Sequence, residues 1–317
     1  VRRFDGYKRI FTLTLNPAVD ASCSTSRVRP LHKVRTTNER FDPGGGGINV
    51  ARVVNELGGR SFAVFLAGGT SGDVLEDEVH RAGVLHHRIA ISEPTRVSHV
   101  VYEEESGQEY RFTPEGPTIT EDEWNEALAF LELLDIDYLV ASGSLPRGVP
   151  DDVYARLSHD VKSRGGRLVL DTSGAALAAA VAEGVFLVKP SRGEFAALVG
   201  QNLDDQQDLE EAAREVVASG RVEMLAITLG HEGALLATEK DGIRWLYPPE
   251  VEAKSAVGAG DSFVGGMVHG LSTGEDVERA FALGVAAGTA TVLTSGTELC
   301  RKADVLQFWD QLCRDQS

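Results

Sequence analysis

Short apolar runs alternate with helical patterns along most of this chain, and few architectures accommodate that alternation. The strand-like runs are Ile10–Leu15, Phe62–Ala67, Tyr138–Ala141, Leu168–Asp171, Phe186–Lys189 and Leu225–Leu229. Helix-like segments lie at Ile48–Leu57, Asp73–Ala82, Glu121–Leu134, Asp152–Arg164, Leu209–Ser219 and Ser262–Leu271. In the first of these, Val50, Val53, Val54 and Leu57 repeat at helical spacing, and Gly58-Gly59 supplies the stop. Thr120 reads as the N-cap of the third, with Glu123 placed for a capping box. Such alternation predicts a parallel sheet covered by helices on both faces.

Two stretches break the pattern. Arg27–Phe41 and Val97–Phe112 carry no convincing helix and alternate like exposed strands. Val97–Tyr102, a turn at Gly107 and Gln108–Phe112 read as a hairpin. We therefore expect one domain over 1–317 with a small β appendage built from two insertions, about 18–42 and 95–114. A small sheet with one apolar face needs a cover, which a substrate cleft, a partner subunit or both could supply.

Composition narrows the function classes. A net charge of −17 makes nucleic acid or an anionic membrane an unexpected partner. Hydrophobic residues at 42% and charged residues at 25% suit a soluble globular enzyme, and no run of 18 apolar residues predicts a membrane span. Val1–Arg9 is charged and no apolar h-region follows it, so no cleavable secretory signal is expected. Cys23, Cys300 and Cys313 match no metal or CxxC spacing and are odd in number, which predicts a reducing cytoplasm rather than a disulfide framework. In so acidic a chain, an anionic substrate would need isolated Lys and Arg residues gathered near glycine-rich loops.

Two glycine-rich segments carry the chemistry. In Ala256-Val-Gly-Ala-Gly-Asp-Ser-Phe-Val-Gly-Gly-Met267 a small-residue loop runs into an amphipathic helix. The N–H groups of Gly258, Ala259 and Gly260 are placed to hold an anion at the helix N-terminus, and Asp261 beside them could accept a proton from an attacking hydroxyl. No GK[ST] follows, so this is not a Walker A loop, and taken alone the segment is equally a capped helix after a tight turn. In Pro43-Gly-Gly-Gly-Gly-Ile-Asn-Val-Ala-Arg52 four glycines permit close backbone approach to a ligand before a helix begins. Asn49 in its first turn could bond a sugar hydroxyl; a flexible linker is the competing reading.

Together these segments resemble the two signatures of the phosphofructokinase-B, or ribokinase-like, sugar kinases, and Thr12-Leu-Thr-Leu-Asn-Pro-Ala-Val-Asp20 looks like that family's opening strand. The resemblance runs from Thr12 to about Cys300. It implies a three-layer α/β/α sandwich with a small β-sheet lid, and ATP-dependent phosphorylation of a sugar phosphate with Mg2+. The lids of such kinases pair between subunits, which implies a homodimer. Gly44–Gly47 has no lysine where the branches acting on fructose 1-phosphate and tagatose 6-phosphate carry one. This points to fructose 6-phosphate, made into fructose 1,6-bisphosphate. Those two other substrates remain alternatives, and a non-catalytic sugar-phosphate sensor is a third.

The same resemblance assigns roles. Asp261 is the base, Gly258, Ala259 and Gly260 the anion hole, and Lys33 meets the transferred phosphoryl group. Asp20, Gly45, Gly46, Asn49 and Ser144 meet the sugar, while Lys33, Arg35 and Arg96 meet its phosphate. Lys189, Glu194, Thr228, Gly230 and Gly233 fall on the nucleotide side, with Glu194 organising magnesium through water. One departure stands out: the family's Asn-x-x-Glu reads Ser191-Arg-Gly-Glu194 here.

Overall fold

A computed structural model describes residues 8–314, so the leader expectation at Val1–Arg9 falls mostly outside it. The strands are β1 (Ile10–Thr14), β2 (Ala18–Thr25), β3 (Thr37–Gly44), β4 (Ser61–Ala67), β5 (Leu85–Ala90), β6 (Arg96–Glu103), β7 (Gln108–Phe112), β8 (Tyr138–Ser142), β9 (Arg167–Asp171), β10 (Val185–Val188), β11 (Val222–Thr228), β12 (Ala234–Thr238) and β13 (Gly242–Leu246). The helices are α1 (Gly46–Glu56), α2 (Gly69–Arg81), α3 (Glu121–Glu132), α4 (Val153–Ser163), α5 (Gly174–Glu183), α6 (Arg192–Val199), α7 (Gln206–Ala218), α8 (Ala259–Thr273), α9 (Val277–Thr291) and α10 (Lys302–Arg314). No described helix is long and apolar enough to cross a membrane.

Nine strands form one sheet in the order β13-β12-β11-β10-β9-β8-β1-β4-β5. The run from β11 to β5 is parallel, and β12 and β13 add antiparallel strands at one edge. Alternation within each strand feeds two cores. Leu13, Leu139, Ala141 and Leu170 point to the side covered by α3, α4, α5 and α7. Val140, Val169 and Leu187 point to the side covered by α1, α8, α9 and α10. Burying both faces is why these strands read as continuous apolar runs. The predicted capping box at Thr120 is present, with Glu123 returning a bond to the Thr120 N–H.

Helix α8 sits centrally because its glycines admit close neighbours. A Cβ on Gly266 would lie 2.6 Å from the Leu283 carbonyl oxygen, and one on Gly270 would lie 2.9 Å from Ala280 Cα. From α9, a Cβ on Gly284 would meet the Phe263 carbonyl oxygen at 2.9 Å. Glycine lowers helix propensity by roughly 1 kcal/mol per residue relative to alanine, so this spacing reflects packing rather than local preference.

The smaller sheet has the order β3-β2-β6-β7. Its outer pairs are antiparallel and the central pair β2–β6 is parallel. The hairpin at Gly107 forms as expected, with Gly107 at φ +69°. The other stretch needs a correction. Residues 26–36 form no strand; β2 begins at Ala18 and β3 only at Thr37, with an irregular loop between them.

Candidate active site

The chain proceeds from β1 to β4 and β5 on one side of the sheet, and through β8, β9, β10 and β11 on the other. Neighbouring strand ends that turn away in opposite directions leave a crevice, and β1 and β8 make this one. Around it lie Asn16 and Asp20 after β1, Ser142 ending β8 with Gly143 and Ser144 after it, Asp171 ending β9, and Lys189 after β10. The N-termini of α1 and α8 close the ring.

Each glycine of Gly44–Gly47 has its own steric reason. A Cβ on Gly44 would lie 2.6 Å from Asp20 Oδ1. Gly45 stands at φ +114°, against Thr14 and Pro17. A Cβ on Gly46 would crowd Ser142, 2.8 Å from its Cβ, and one on Gly47 would lie 2.7 Å from the Leu13 carbonyl oxygen. The run is therefore a fitted turn rather than a flexible linker. With no side chain at the N-cap Gly45, Thr14 Oγ1 reaches over and accepts from the Ile48 N–H at 3.1 Å.

At the head of α8, Gly258 is the N-cap in the left-handed region at φ +73°. Among the described residues the N–H groups of Gly258, Gly260 and Asp261 meet no acceptor, whereas Ala259 N–H makes a 3.4 Å bond to the Ala256 carbonyl. The open donors are thus not quite the expected Gly258–Ala259–Gly260 set. Asp261, in the first turn, accepts from Asn49 Nδ2 at 2.9 Å. Burial pushes the Asp261 carboxyl above the usual range, while the Asn49 bond, Lys189, Ser142 and Arg52 hold it back. Burial also pushes Asp20 up to about 6, against the pull of Arg52.

Lys189 is buried and pairs with Asp171 at 3.1 Å. Its Nζ stands beside Gly260, where a Cβ would lie 3.4 Å away. Burial lowers the affinity of this ammonium for its proton, but Asp171, Glu194 and Asp261 more than offset that, so the net shift is upward. Asp171 was not among the predicted site residues. The available signal was its place, a carboxylate at the carboxyl end of a parallel strand.

Beyond β10, Ser191 and Glu194 form a second capping box at the head of α6. Glu194 Oε2 accepts from the Ser191 N–H at 2.7 Å and from its hydroxyl at 2.8 Å. The departure from Asn-x-x-Glu is therefore itself a helix-start signal, S-x-x-E, that the sequence reading overlooked. Thr228 lies alongside: its N–H bonds the Pro190 carbonyl at 3.0 Å and it bridges to Ser191. Gly230 and Gly233 follow at φ +62° and +107°.

Other predicted residues are engaged differently. The Arg96 guanidinium donates to the Asn16 carbonyl at 2.7 Å and the Pro114 carbonyl at 2.9 Å, and burial lowers its proton affinity. Ser144 accepts from Asn16 Nδ2 at 3.2 Å. Lys33 and Arg35 are exposed on the loop between β2 and β3, and neither side chain makes an ion pair with a described residue.

The model of the pfkB family carbohydrate kinases matches residues 14–304. The chain is 42% identical over 308 residues to the ATP-dependent 6-phosphofructokinase isozyme 2 of Mycobacterium tuberculosis, covering 96% of this chain and 90% of that one. To the Escherichia coli isozyme 2 it is 40% identical, covering 96% and 99%. A 1-phosphofructokinase of Borreliella burgdorferi is 32% identical, covering 96% and 97%. Among solved structures, Escherichia coli phosphofructokinase-2 in complex with fructose-6-phosphate superimposes with a TM-score of 0.92 at 38% identity, covering 97% of this chain and all of that one. The family model over residues 14–304 and the 40% identity across nearly the whole chain show that the chain belongs to the pfkB family of carbohydrate kinases.

Proposed function

We propose that this protein transfers the γ-phosphoryl group of ATP to the 1-hydroxyl of fructose 6-phosphate. The observation that carries the mechanism is Asp261, held by Asn49 in the same first turn of α8 as the open N–H groups. A hydroxyl placed there can give its proton to Asp261 while Gly258 and Gly260 receive the transferred oxygens. Asp20, Asn49, Gly45, Gly46 and Ser144 hold the sugar. Arg96, with Lys33 and Arg35 carried on the loop, holds its 6-phosphate, and Lys33 also reaches the transferred group. Lys189, Thr228, Gly230 and Gly233 form the nucleotide side.

Magnesium fits this arrangement in a limited way. Among the described residues no three His, Cys, Asp or Glu side chains gather as a metal cage. An ion held chiefly by nucleotide phosphates needs only one or two carboxylates, directly or through water. Glu194 spends Oε2 on its capping box and leaves Oε1 for that purpose. The ion would neutralise charge on the β- and γ-phosphates.

The small sheet, over 18–44 and 96–112, acts as the lid in this reading. Registered partners Phe41, Ala21, His99 and Phe112 share one of its faces, and Asp20 and Asp42 share the other. Phe41 is 54% exposed and Phe112 57%, so the outer face suits a second copy of this chain, giving a homodimer with the polar faces toward the sites. An Escherichia coli relative is known in a tetrameric inhibited form. Sedimentation should show a dimer that Phe112→Asp converts to monomer; a dimer unaffected by that change would move the interface elsewhere.

ADP release from a sugar-phosphate panel tests the activity. Fructose 6-phosphate should exceed fructose 1-phosphate at least tenfold in kcat/KM, and omitting magnesium should abolish turnover. The two isomers carry their phosphate at opposite ends, so only one can pair with a fixed cationic cluster while presenting its hydroxyl to Asp261. Losing a charge-assisted phosphate contact costs about 1.5–3 kcal/mol, roughly tenfold or more. Equal or better use of fructose 1-phosphate or tagatose 6-phosphate would overturn the substrate and leave the kinase. No ADP release with any member would favour a sensor.

A further inference from the structure

Behind Asp261 runs a line of polar contacts that the reaction does not itself require. Asn49 donates to Asp261 through Nδ2, and its other amide atom, Oδ1, accepts from Arg52 NH1 at 3.1 Å. The same Arg52 nitrogen donates to the Pro43 carbonyl at 3.1 Å, and NH2 stands 3.9 Å from Asp42 Oδ1. Asp42 is buried, accepts from Thr297 Oγ1 at 2.6 Å, and is paired at 2.8 Å by Arg40. The Arg52 side chain is 15% exposed. Arg52 lies on α1 one turn after Asn49, so one helix carries both.

An asparagine amide beside a carboxylate has two orientations. One presents NH2 to the carboxylate and stabilises its ionised form; the other presents C=O and repels it. A guanidinium has only donors. Placed on the far side of Asn49, it permits one orientation alone. We propose that Arg52 is a positioning residue for phosphoryl transfer: acting through Asn49, it fixes the amide so that Nδ2 donates to Asp261 and the base stays ionised with its second oxygen turned to the incoming hydroxyl. This rests on the reading of Asp261 as the base.

Charge adds to orientation. The groups around Asp261 are Lys189 from the end of β10, Arg52 from α1, Asp20 from β2 and Asp171 from β9. Of these, Lys189 is already committed to Asp171. Removing Arg52 leaves Asp20 and Asp261 facing each other with less compensation. Both carboxyls then bind protons more readily, and the acid limb of the kcat profile moves to higher pH.

The test is a double-mutant cycle on the full-length chain. Wild-type turnover of fructose 6-phosphate and ATP is measured first, and its absence would refute the kinase reading rather than this one. In Arg52→Met we expect kcat to fall roughly tenfold or more, KM for ATP to change less than threefold, and the acid limb to rise. In an Asn49→Ala background the further loss from Arg52→Met should shrink to less than about threefold, because the residue acts through Asn49. Additive losses, or an unmoved acid limb, would show that Arg52 only ties Pro43 and Asp42 to α1. If Arg52→Met does not fold, the same cycle is read with Arg52→Lys. That variant keeps the charge without the planar fork, and its loss of kcat should likewise vanish without Asn49; additivity there overturns the proposal.

Discussion

Asp261→Asn should lower kcat by roughly 10²–10⁴-fold while ATP binding stays nearly unchanged. The substitution is isosteric, so the donor from Asn49 loses only its charged acceptor and the helix start keeps its shape. What disappears, in the proposed mechanism, is the group that takes the hydroxyl proton. The pH dependence of the unaltered protein follows from the same residue. Burial raises the Asp261 carboxyl above its ordinary value, and the base works only when ionised. Activity is therefore lost as pH falls through that raised value, nearer to neutrality than for an exposed aspartate. Asp20, pushed up to about 6, protonates in the same direction. Nucleotide affinity can be followed by calorimetry alongside single-turnover kinetics. A variant with near-normal kcat would remove Asp261 from the mechanism.

Gly44→Ala should raise KM for the sugar phosphate by about tenfold to a hundredfold with little effect on KM for ATP. The added methyl would stand 2.6 Å from Asp20 Oδ1, in the space the carboxylate occupies. Asp20 has to rotate away, and the hydrogen bonds proposed for it to the sugar go with it. Bonds of charged groups contribute about 1.5–3 kcal/mol, which sets the range. Gly44 ends β3 with its backbone in an ordinary region, so strain is not the cause and the melting temperature should fall little. Asp20→Ala supplies the comparison: if the glycine acts by displacing Asp20, both variants lose the sugar to a similar degree. A Gly44→Ala protein with normal sugar KM would mean that the carboxylate tolerates displacement and contributes nothing there.

Much of this site could be read from residue order. The glycine turn, Asn49 and the Gly258–Asp261 segment announce themselves because backbone approach and helix-end chemistry are local. Lys189, just after β10, and Thr228, at the end of β11, were singled out only through the resemblance to the family. Arg52 and Asp42 were not legible. Asp42 meets Thr297, 255 positions away, only on folding, and Arg52 draws its interest from Asn49 being turned to Asp261, 212 positions on. Ser142 was passed over for Ser144, yet Ser142 bonds Asp261 while Ser144 turns to Asn16. Two successive residues of one face cannot be ranked without the pleat.

The missed elements have equally physical causes. Helix α5 is an alanine-rich segment with almost no polar face to betray a period, and α9 is buried nearly all round. Strand β3 shows five exposed positions before its buried end, so no core-facing period separates its outer half from the irregular loop before it, and the strand was read as starting too early. Periodicity reports a boundary between core and water, and these segments do not straddle one in the usual way.

The central pair of the small sheet has a bearing on how the chain assembles. Strands β2 and β6 run parallel, yet 70 residues of β3, α1, β4, α2 and β5 separate the end of one from the start of the other. Parallel neighbours cannot be zipped by a tight turn; something of fixed length must carry the chain back to the same end. Here that carrier is part of the main α/β body. The ladder from Ala18↔Arg96 to Thr25↔Glu103 can therefore align only after β4 and β5 have docked beside β1. This makes the small sheet a late cooperative unit during folding and the first to open in the native protein. Backbone amides of β2 and β6 should exchange with solvent sooner than those of β1, β8 and β9, and a bound sugar phosphate, by bridging the two bodies, should slow that exchange.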